Sequence, residues 1–282
     1  MNAQYRAYAD QIEDALDALS ADADIPQPLR DAMRYSLLSG GKRLRGVLLL
    51  AAAEMAEGPA QEALLPACAL EMIHCYSLIH DDLPAMDDDD LRRGKPTNHK
   101  VFGEGMAVLA GDGLLSMAFE TLLENGLRHP ENGLGHLRAI REIAKGAGVR
   151  GMVAGQCLDI AHDGARDPAE LLLQIHLRKT GALLTAPVLA GLHLGGADAR
   201  ALEAGEAYGR ALGLCFQIVD DLLDVEGDVG VLGKQTGMDA ARGKLTWPGV
   251  YGVEASREEA VRLGKAAVAA LEPFGPRAVF LQ

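Results

Sequence analysis

The chain has 282 residues, of which 49% are hydrophobic and 24% charged, as in folded proteins. Forty acidic residues face 27 basic ones, a formal net charge of -13, which argues against a nucleic-acid partner because phosphate backbones bind basic surfaces. Aromatic residues make up only 4%, which favours helices packed through aliphatic side chains over sheets.

Apolar residues recur with a helical period along most of the chain. Gly- and Pro-rich stretches separate the periodic segments, and no stretch alternates as a strand would. Pro84 and Pro187 are predicted to kink or end their helices. The sequence therefore predicts one all-α domain spanning residues 1–282, a bundle of about ten helices. Their predicted ranges are 3–19, 27–38, 43–56, 61–83, 104–125, 134–146, 148–161, 168–193, 198–224 and 254–271.

The N-terminal segment resembles an acidic amphipathic helix and not a signal peptide. No apolar run approaches the ~20 residues of a membrane span. The four cysteines lie in apolar helical contexts without a CxxC pair, which indicates buried thiols in a reducing compartment. A soluble cytoplasmic protein without a membrane span is predicted.

Two acidic stretches contain the residues most suggestive of chemistry. The first is IHDDLPAMDDDDLRRG at 79–94, and the second is FQIVDDLLDVEGD at 216–228. Asp220 and Asp224 are four residues apart and share a helix face, while Asp221 points about 100° away. Carboxylates beside apolar residues need a counter-charge, so bound cations are a better explanation than a solvated acidic face.

Carboxylates in this number suit Mg²⁺, which also binds substrate phosphates and water. Zn²⁺ usually recruits His or Cys, and the spacing of His74, Cys75 and His80 fits no standard zinc pattern. Basic residues beside glycines provide candidate phosphate ligands, although each alone would more often be a surface charge. They lie in GGKRLRG at 40–46, Arg92-Arg93, RKTG at 178–181, LGK at 232–234 and GK at 243–244. The two acidic stretches are expected to face each other across a pocket.

Taken together, these motifs resemble the trans-isoprenyl diphosphate synthase family. DDLPAMDDDDLRRG and DDLLD are similar to its two aspartate-rich motifs, and GGKRLR, GQCLD, KTGAL and FQIVDD occur in the family's order. The resemblance covers roughly residues 30 to 250 and is strongest to bacterial farnesyl diphosphate synthases. It implies an isoprenoid-synthase fold around a central cavity. It also implies Mg²⁺-dependent head-to-tail condensation of isopentenyl diphosphate with dimethylallyl or geranyl diphosphate through an allylic carbocation.

The resemblance also implies roles for individual residues. About three Mg²⁺ ions are expected at Asp81, Asp87 and Asp220, with water-mediated or supporting contacts from Asp82, Asp221 and Asp224. The allylic diphosphate is assigned to Arg92, Lys179, Lys234 and Lys244. Isopentenyl diphosphate is assigned to Lys42, Arg45, His74 and Arg93. The carbocation is expected to be stabilised by the Lys179 carbonyl, Thr180 and Gln217.

Product length is expected to depend on the residues preceding the first aspartates. A ring at Tyr76, beside Ser77, would form the floor for the growing tail and favour a C15 product, farnesyl diphosphate. Geranylgeranyl and geranyl diphosphate remain alternatives. The chain also departs from the family at EPFGPRAVFLQ, where a last helix is expected to be missing or diverged.

Rival functions remain open from sequence. A terpene cyclase would not need the second set of phosphate ligands, and a metal-dependent phosphohydrolase would need further histidines. A non-catalytic regulatory subunit of a prenyl synthase would tend to lose one aspartate motif. A purely structural acidic protein leaves the basic motifs unexplained. By resemblance the enzyme is expected to be a homodimer.

Overall fold

The computed structural model describes residues 3–161, 166–226 and 244–282. The predicted all-α fold is confirmed, and most predicted helices are observed within a few residues of their predicted bounds. The α-helices, in chain order, are α1 (Ala3–Ser20), α2 (Gln27–Leu37), α3 (Leu44–Met55), α4 (Ala60–Asp81), α5 (Asn98–Phe102), α6 (Glu104–Arg128), α7 (Gly133–Ala147), α8 (Met152–Ile160), α9 (Pro168–Ile175), α10 (Ala182–Leu194), α11 (Ala199–Glu226), α12 (Trp247–Tyr251) and α13 (Val253–Ala270).

Other short elements join these helices. A π-helix, His176–Gly181, lies between α9 and α10, and 3₁₀ helices cover Pro130–Asn132 and Glu272–Leu281. Strands β1 (Leu91–Arg92) and β2 (Lys95–Pro96) form an antiparallel hairpin. The hairpin, α5 and α12 were not predicted, because segments of two to five residues are too short to show a period.

The chain folds into two compact units. Unit 1 comprises Met1–Leu50 and Pro59–Leu137, and unit 2 comprises Ala51–Gly58 and Arg138–Gln282. The single-domain organisation expected from the sequence stays a prediction. Each unit carries one of the two acidic stretches.

In unit 1 the main packing is between α4 and α6, with α1 and α2 against them. Helix α4 is buried on most sides, including Cys68, Leu70, Met72 and Ile73. Both α4 and α6 are long and apolar enough to cross a membrane by length and composition alone, contrary to the expectation that no apolar run is this long. In α4, 67% of the most apolar stretch is buried inside the protein, which is typical of a core helix.

In unit 2 helix α11 packs closely on α10 and the π-helix. Gly205, Gly209 and Gly213 recur every four residues along α11, so they share one face. A Cβ at Gly209 would lie 2.7 Å from the Thr185 Cα, and one at Gly213 would lie 2.6 Å from the Gly181 Cα. Only glycine permits this approach. The other side of α11 joins α12 and α13 in an apolar cluster that includes Leu214, Ile218 and Trp247.

Two local predictions have different outcomes. Helix α4 ends at Asp81, before Pro84, as predicted. Helix α10 instead continues through Pro187, so the helix does not end there, and the predicted kink at Pro187 stays a prediction. Among the cysteines, Cys68 and Cys75 are buried as predicted, whereas Cys157 is exposed because it lies on the outer side of the short helix α8.

Candidate functional site

The first acidic stretch follows the last turn of α4. Asp81 is the final helical residue and Asp82 caps the helix. The chain then turns so that the Asp87 amide donates a hydrogen bond to the Asp81 carbonyl oxygen at 2.8 Å. This turn holds the backbones of Asp81 and Asp87 together. Both carboxylates are partly exposed, so they are accessible from solvent.

Asp82 differs from its neighbours because it is buried and paired. The Arg92 guanidinium donates to both Asp82 carboxylate oxygens from Nε, at 2.8 and 3.0 Å. Burial raises the pKa of Asp82, and Arg92 opposes that shift. The pair fixes the β-hairpin to the end of α4, so Asp82 positions Arg92.

A cluster of arginines surrounds His74, which precedes the first aspartates in α4. Burial lowers the pKa of His74 well below its usual value, and the charges of Arg45, Arg93, Arg92 and Arg43 lower it further. Burial also lowers the pKa of Arg45, and the charge of Glu71 opposes that shift. The buried Nε of Arg45 has no hydrogen-bond partner among the residues that the structure describes. A buried donor without a partner in a cluster of like charges indicates a binding site for an anion.

The depressed pKa of His74 predicts a pH dependence of stability. The unfolded chain binds a proton at His74 near pH 6.5 that the folded protein does not bind, so the free energy of unfolding should fall as pH drops below that value. His74→Gln should reduce this dependence. The measurement is urea unfolding of both proteins at about pH 7.5 and about pH 5.5. Equal pH dependence in the two proteins would contradict the prediction.

The GGKR turn brings glycine and arginine backbones into unusual conformations. Gly40, Gly41 and Arg43 all have positive φ, at 82°, 144° and 49°. A Cβ at Gly41 would lie 2.7 Å from an Arg93 guanidinium nitrogen, so a side chain at this position would displace the Arg93 guanidinium. Lys42, predicted to bind isopentenyl diphosphate, is exposed here.

Arg43 is the one arginine of the cluster that sequence reasoning did not select. Its guanidinium donates to both carboxylate oxygens of Glu13, at 2.8 and 2.9 Å, and to the Leu37 carbonyl oxygen at 2.6 Å. It is 5% exposed. These contacts indicate that Arg43 stabilises the turn, and no local sequence signal distinguishes it from Arg45.

In unit 2 the second acidic stretch occupies the end of α11. Asp220 and Asp224 are partly exposed on one face, as their spacing predicts, and Asp221 is buried. The Asp221 carboxylate accepts hydrogen bonds from the Gln217 amide at 2.9 Å and the Trp247 backbone amide at 2.8 Å. His176 Nε2 lies 3.4 Å from the same carboxylate. Asp221 is therefore held by protein groups and supports Gln217.

Two of the predicted carbocation-stabilising residues, Thr180 and Gln217, belong to the same network. The Thr180 hydroxyl donates to the Gln217 side-chain oxygen at 2.7 Å. Lys179 Nζ donates to Asp159 at 2.6 Å. The chain Thr180–Gln217–Asp221 fixes two polar dipoles without exposing a strong nucleophile. Sequence reasoning did not select His176, Trp247 or Asp159, because their contacts join distant segments.

The π-helix positions Lys179 and Thr180. Single π-helical turns are rare and concentrate at functional sites. Gly155 in α8 packs directly on this turn, and a Cβ there would lie 2.0 Å from the Lys179 backbone nitrogen. The GQCLD segment thus supplies the surface on which the turn packs.

Two of the residues predicted to bind the allylic diphosphate, Lys234 and Lys244, follow the second acidic stretch in the sequence. Lys234 lies outside the described residues. Lys244 is described and lies just before α12, partly buried. All the site roles assigned from sequence stay predictions.

The sequence profile described as "Polyprenyl synthetase" matches residues 26–270. The chain belongs to the polyprenyl synthetase family. It is 49% identical over 265 residues to geranylgeranyl pyrophosphate synthase 11, chloroplastic, of Arabidopsis thaliana, covering 91% of this chain and 73% of that protein. It is 48% identical over 253 residues to the chloroplastic geranylgeranyl pyrophosphate synthase of Capsicum annuum, covering 89% of this chain and 68% of that protein.

Solved structures show the same likeness. An FPP/GFPP synthase from Zymomonas mobilis superposes with a TM-score of 0.86 at 36% identity, over 100% of this chain and 97% of that one. A geranyltransferase from Legionella pneumophila superposes with a TM-score of 0.83 at 35% identity, over 98% of this chain and 92% of that one. As a polyprenyl synthetase this chain is a prenyltransferase.

The carboxylates fit the divalent cation on which the family depends. Asp81, Asp87, Asp220 and Asp224 are partly exposed and offer hard oxygen donors, as Mg²⁺ prefers. Asp82 and Asp221 are buried and accept hydrogen bonds from Arg92 and from Gln217 and Trp247 respectively. The assignment of Mg²⁺ to the aspartates stays a prediction.

Proposed function

We propose that this prenyltransferase condenses isopentenyl diphosphate head-to-tail with allylic diphosphates and releases geranylgeranyl diphosphate. The observation that carries the diphosphate chemistry is the arginine cluster around His74, with the partnerless Nε of Arg45. The names of the similar plant enzymes support the C20 product. The farnesyl product expected from the sequence is thus replaced by its alternative as the main proposal.

Two different sets of residues bind the two diphosphates. Arg45, Arg93 and the neutral His74 bind the diphosphate of isopentenyl diphosphate. Arg92, oriented by Asp82, and Lys179 bind the allylic diphosphate. The chemistry that Mg²⁺ supplies when bound to the aspartates is neutralisation of charge on the departing diphosphate.

The allylic cation must be stabilised by groups that do not react with it as nucleophiles. The Gln217 side-chain oxygen and the Thr180 hydroxyl are mutually hydrogen-bonded, and Asp221 holds Gln217 in place. Preorganised dipoles of this kind stabilise developing positive charge without reorganisation during reaction. The released diphosphate accepts the proton lost from the new double bond, so no side-chain base is required.

The second candidate product, farnesyl diphosphate, depends on Tyr76 forming the floor for the growing tail. Tyr76 is buried, and its ring packs edge-on against His80 with centroids 5.7 Å apart. His80 Nε2 in turn lies 3.1 Å from the Val108 carbonyl oxygen of α6. The Tyr76 ring is therefore engaged inside unit 1, whereas Ser77 is small and partly exposed. A tail passing Ser77 would not meet the aromatic ring, which supports the longer product.

The test is a product assay with Mg²⁺, isopentenyl diphosphate and dimethylallyl diphosphate, with chain length read by mass spectrometry. A C20 diphosphate from the wild-type protein is expected. Ser77→Phe should shorten the main product by at least one C5 unit, and Tyr76→Leu should leave it at C20. A C15 wild-type product that lengthens in Tyr76→Leu would establish Tyr76 as the floor and farnesyl diphosphate as the product.

Assembly as a homodimer is also proposed. On helix α6 the exposed fractions of Leu109, Leu123 and Leu127 are 54%, 53% and 76%. An exposed apolar stripe on a long helix is typical of an association surface. One similar protein, from Arabidopsis thaliana, is described as the large subunit of a heterodimeric geranylgeranyl pyrophosphate synthase. The plant relatives are described as chloroplastic, so the predicted cytoplasmic location of this chain is not confirmed.

A further inference from the structure

A cluster of histidine and glutamate side chains lies at the other end of α4 from the first acidic stretch. Glu62 is in the first turn of α4, nineteen residues before Asp81, which corresponds to about 28 Å along the helix. His129 is the C-cap residue of α6, Glu131 lies in the following 3₁₀ turn and His136 is in α7. None of these residues has a role in prenyl transfer as proposed above.

Three of these side chains converge on one point. His129 Nδ1 lies 3.9 Å from Glu62 Oε1 and 3.5 Å from Glu131 Oε1. One ligand atom from each residue lies within 4.8 Å of the other two. Tetrahedral Zn²⁺ with bonds of about 2.0 to 2.1 Å holds its ligand atoms about 3.3 to 3.4 Å apart. Small side-chain rotations would bring the three atoms to that separation.

Supporting contacts fix the buried ligand. The second oxygen of Glu62, Oε2, accepts a hydrogen bond from the Asn132 amide at 2.7 Å and lies 3.0 Å from His136 Nε2. The Glu62 backbone carbonyl accepts from Asn125 at 2.8 Å. The His129 and His136 rings stack at 5.8 Å with planes 12° apart. Outer contacts of this kind orient the first ligands of metal sites.

Glu62 is buried, and its carboxylate has no lysine or arginine partner among the described residues. Its side chain is 9% exposed. In the part of the chain that the structure describes, the side chains contacting its carboxylate are His129, His136 and Asn132, and none carries a permanent positive charge. A buried carboxylate without a counter-charge is unfavourable. The exposed Glu131 and the partly exposed His129 leave the remaining coordination positions open to solvent.

We propose that Glu62, His129 and Glu131 form a site for a transition-metal cation of the Zn²⁺ class, separate from the Mg²⁺ carboxylates. The imidazole nitrogen selects Zn²⁺ or Co²⁺ over Mg²⁺, which prefers oxygen ligands and retains its water. The bound ion joins the start of α4 to the end of α6. The site does not depend on the proposed prenyl transfer, because it uses different residues.

The test is titration of the full-length, chelator-treated protein with Zn²⁺ and Co²⁺ in excess Mg²⁺, followed by calorimetry and by the visible absorption of tetrahedral Co²⁺. One equivalent per chain is expected. Glu131→Gln changes an exposed side chain and should weaken binding at least tenfold, as should His129→Gln. Glu124→Gln, an exposed glutamate near the end of the same helix α6, should bind as the wild type does.

Asp81→Asn separates this site from the first aspartate motif and should retain the Zn²⁺ equivalent. The proposal is overturned if the wild type takes up no Zn²⁺ in excess Mg²⁺. It is also overturned if Glu131→Gln and His129→Gln bind as tightly as the wild type, or if Asp81→Asn abolishes binding. Unfolding curves of the metal-free variants will show that each is folded.

Discussion

Replacing Arg45 by methionine should raise the KM for isopentenyl diphosphate by about 10- to 100-fold and leave the metal-free, ligand-free protein at least as stable as the wild type. A hydrogen bond from a charged donor contributes about 1.5 to 3 kcal/mol, which corresponds to this range in affinity. In the absence of ligand the buried Nε of Arg45 has no hydrogen-bond partner among the described residues, and burial disfavours its charge more than Glu71 favours it. Its removal therefore loses binding without losing an internal hydrogen bond of Nε. Steady-state kinetics and urea unfolding measure the two effects.

Arg43→Met is the matched control. Arg43 lies in the same turn but is bound to Glu13 and to the Leu37 carbonyl. Its removal should lower the free energy of unfolding by about 2 kcal/mol, because a largely buried ion pair is broken. If Arg45→Met is destabilised to the same extent and its KM is unchanged, Arg45 has a structural role and the diphosphate assignment is wrong.

Gly155→Ala should lower kcat by about 100-fold and the free energy of unfolding by about 1 to 3 kcal/mol. The added methyl group would lie 2.0 Å from the Lys179 nitrogen and 2.4 Å from its Cα, so the π-helical turn must move. Overpacking of this kind is destabilising, and a shift of about 1 Å at a reacting group lowers rates by roughly 10²-fold. The measurements are single-turnover kinetics at saturating substrate and urea unfolding.

Gly264→Ala serves as the control for helix propensity. Gly264 lies inside α13, and a Cβ there would meet no atom within 4 Å. This substitution should stabilise the protein by about 0.5 to 1 kcal/mol and leave kcat unchanged. Wild-type kcat in Gly155→Ala would show that the position of the π-helical turn does not matter for catalysis.

The sequence predicted the long helices because their apolar positions repeat over many turns, as in α4 and α11. It did not predict the break of 168–193 into α9, the π-helix and α10. The extra residue of the π-turn is accommodated by the close approach of Gly155 and Gly213, which comes from segments distant in sequence. Tertiary contacts of this kind leave no local pattern.

In the candidate site, too, features set by local spacing were predicted, whereas contacts between distant segments were not. The spacing of Asp220, Asp221 and Asp224 predicted which carboxylates share a face, and the structure shows Asp221 turned inward. The partners of Asp221 could not be predicted, because Trp247 is 26 residues away along the chain. The pairing of Arg92 with Asp82 was also not evident, because it depends on the two-residue turn at Arg93 and Gly94, both with positive φ.

The position of Trp247 has a spectroscopic consequence. It is the sole tryptophan of the chain. Its backbone amide binds Asp221, and its ring stacks on His176 and packs against Tyr251, with centroids 5.7 and 4.9 Å away. The tryptophan fluorescence of the protein therefore comes from one residue, which is joined to Gln217 through two hydrogen bonds to Asp221. Ligands that rearrange Gln217 or Asp221 alter the surroundings of the only indole, so occupancy can be followed in solution without an attached dye.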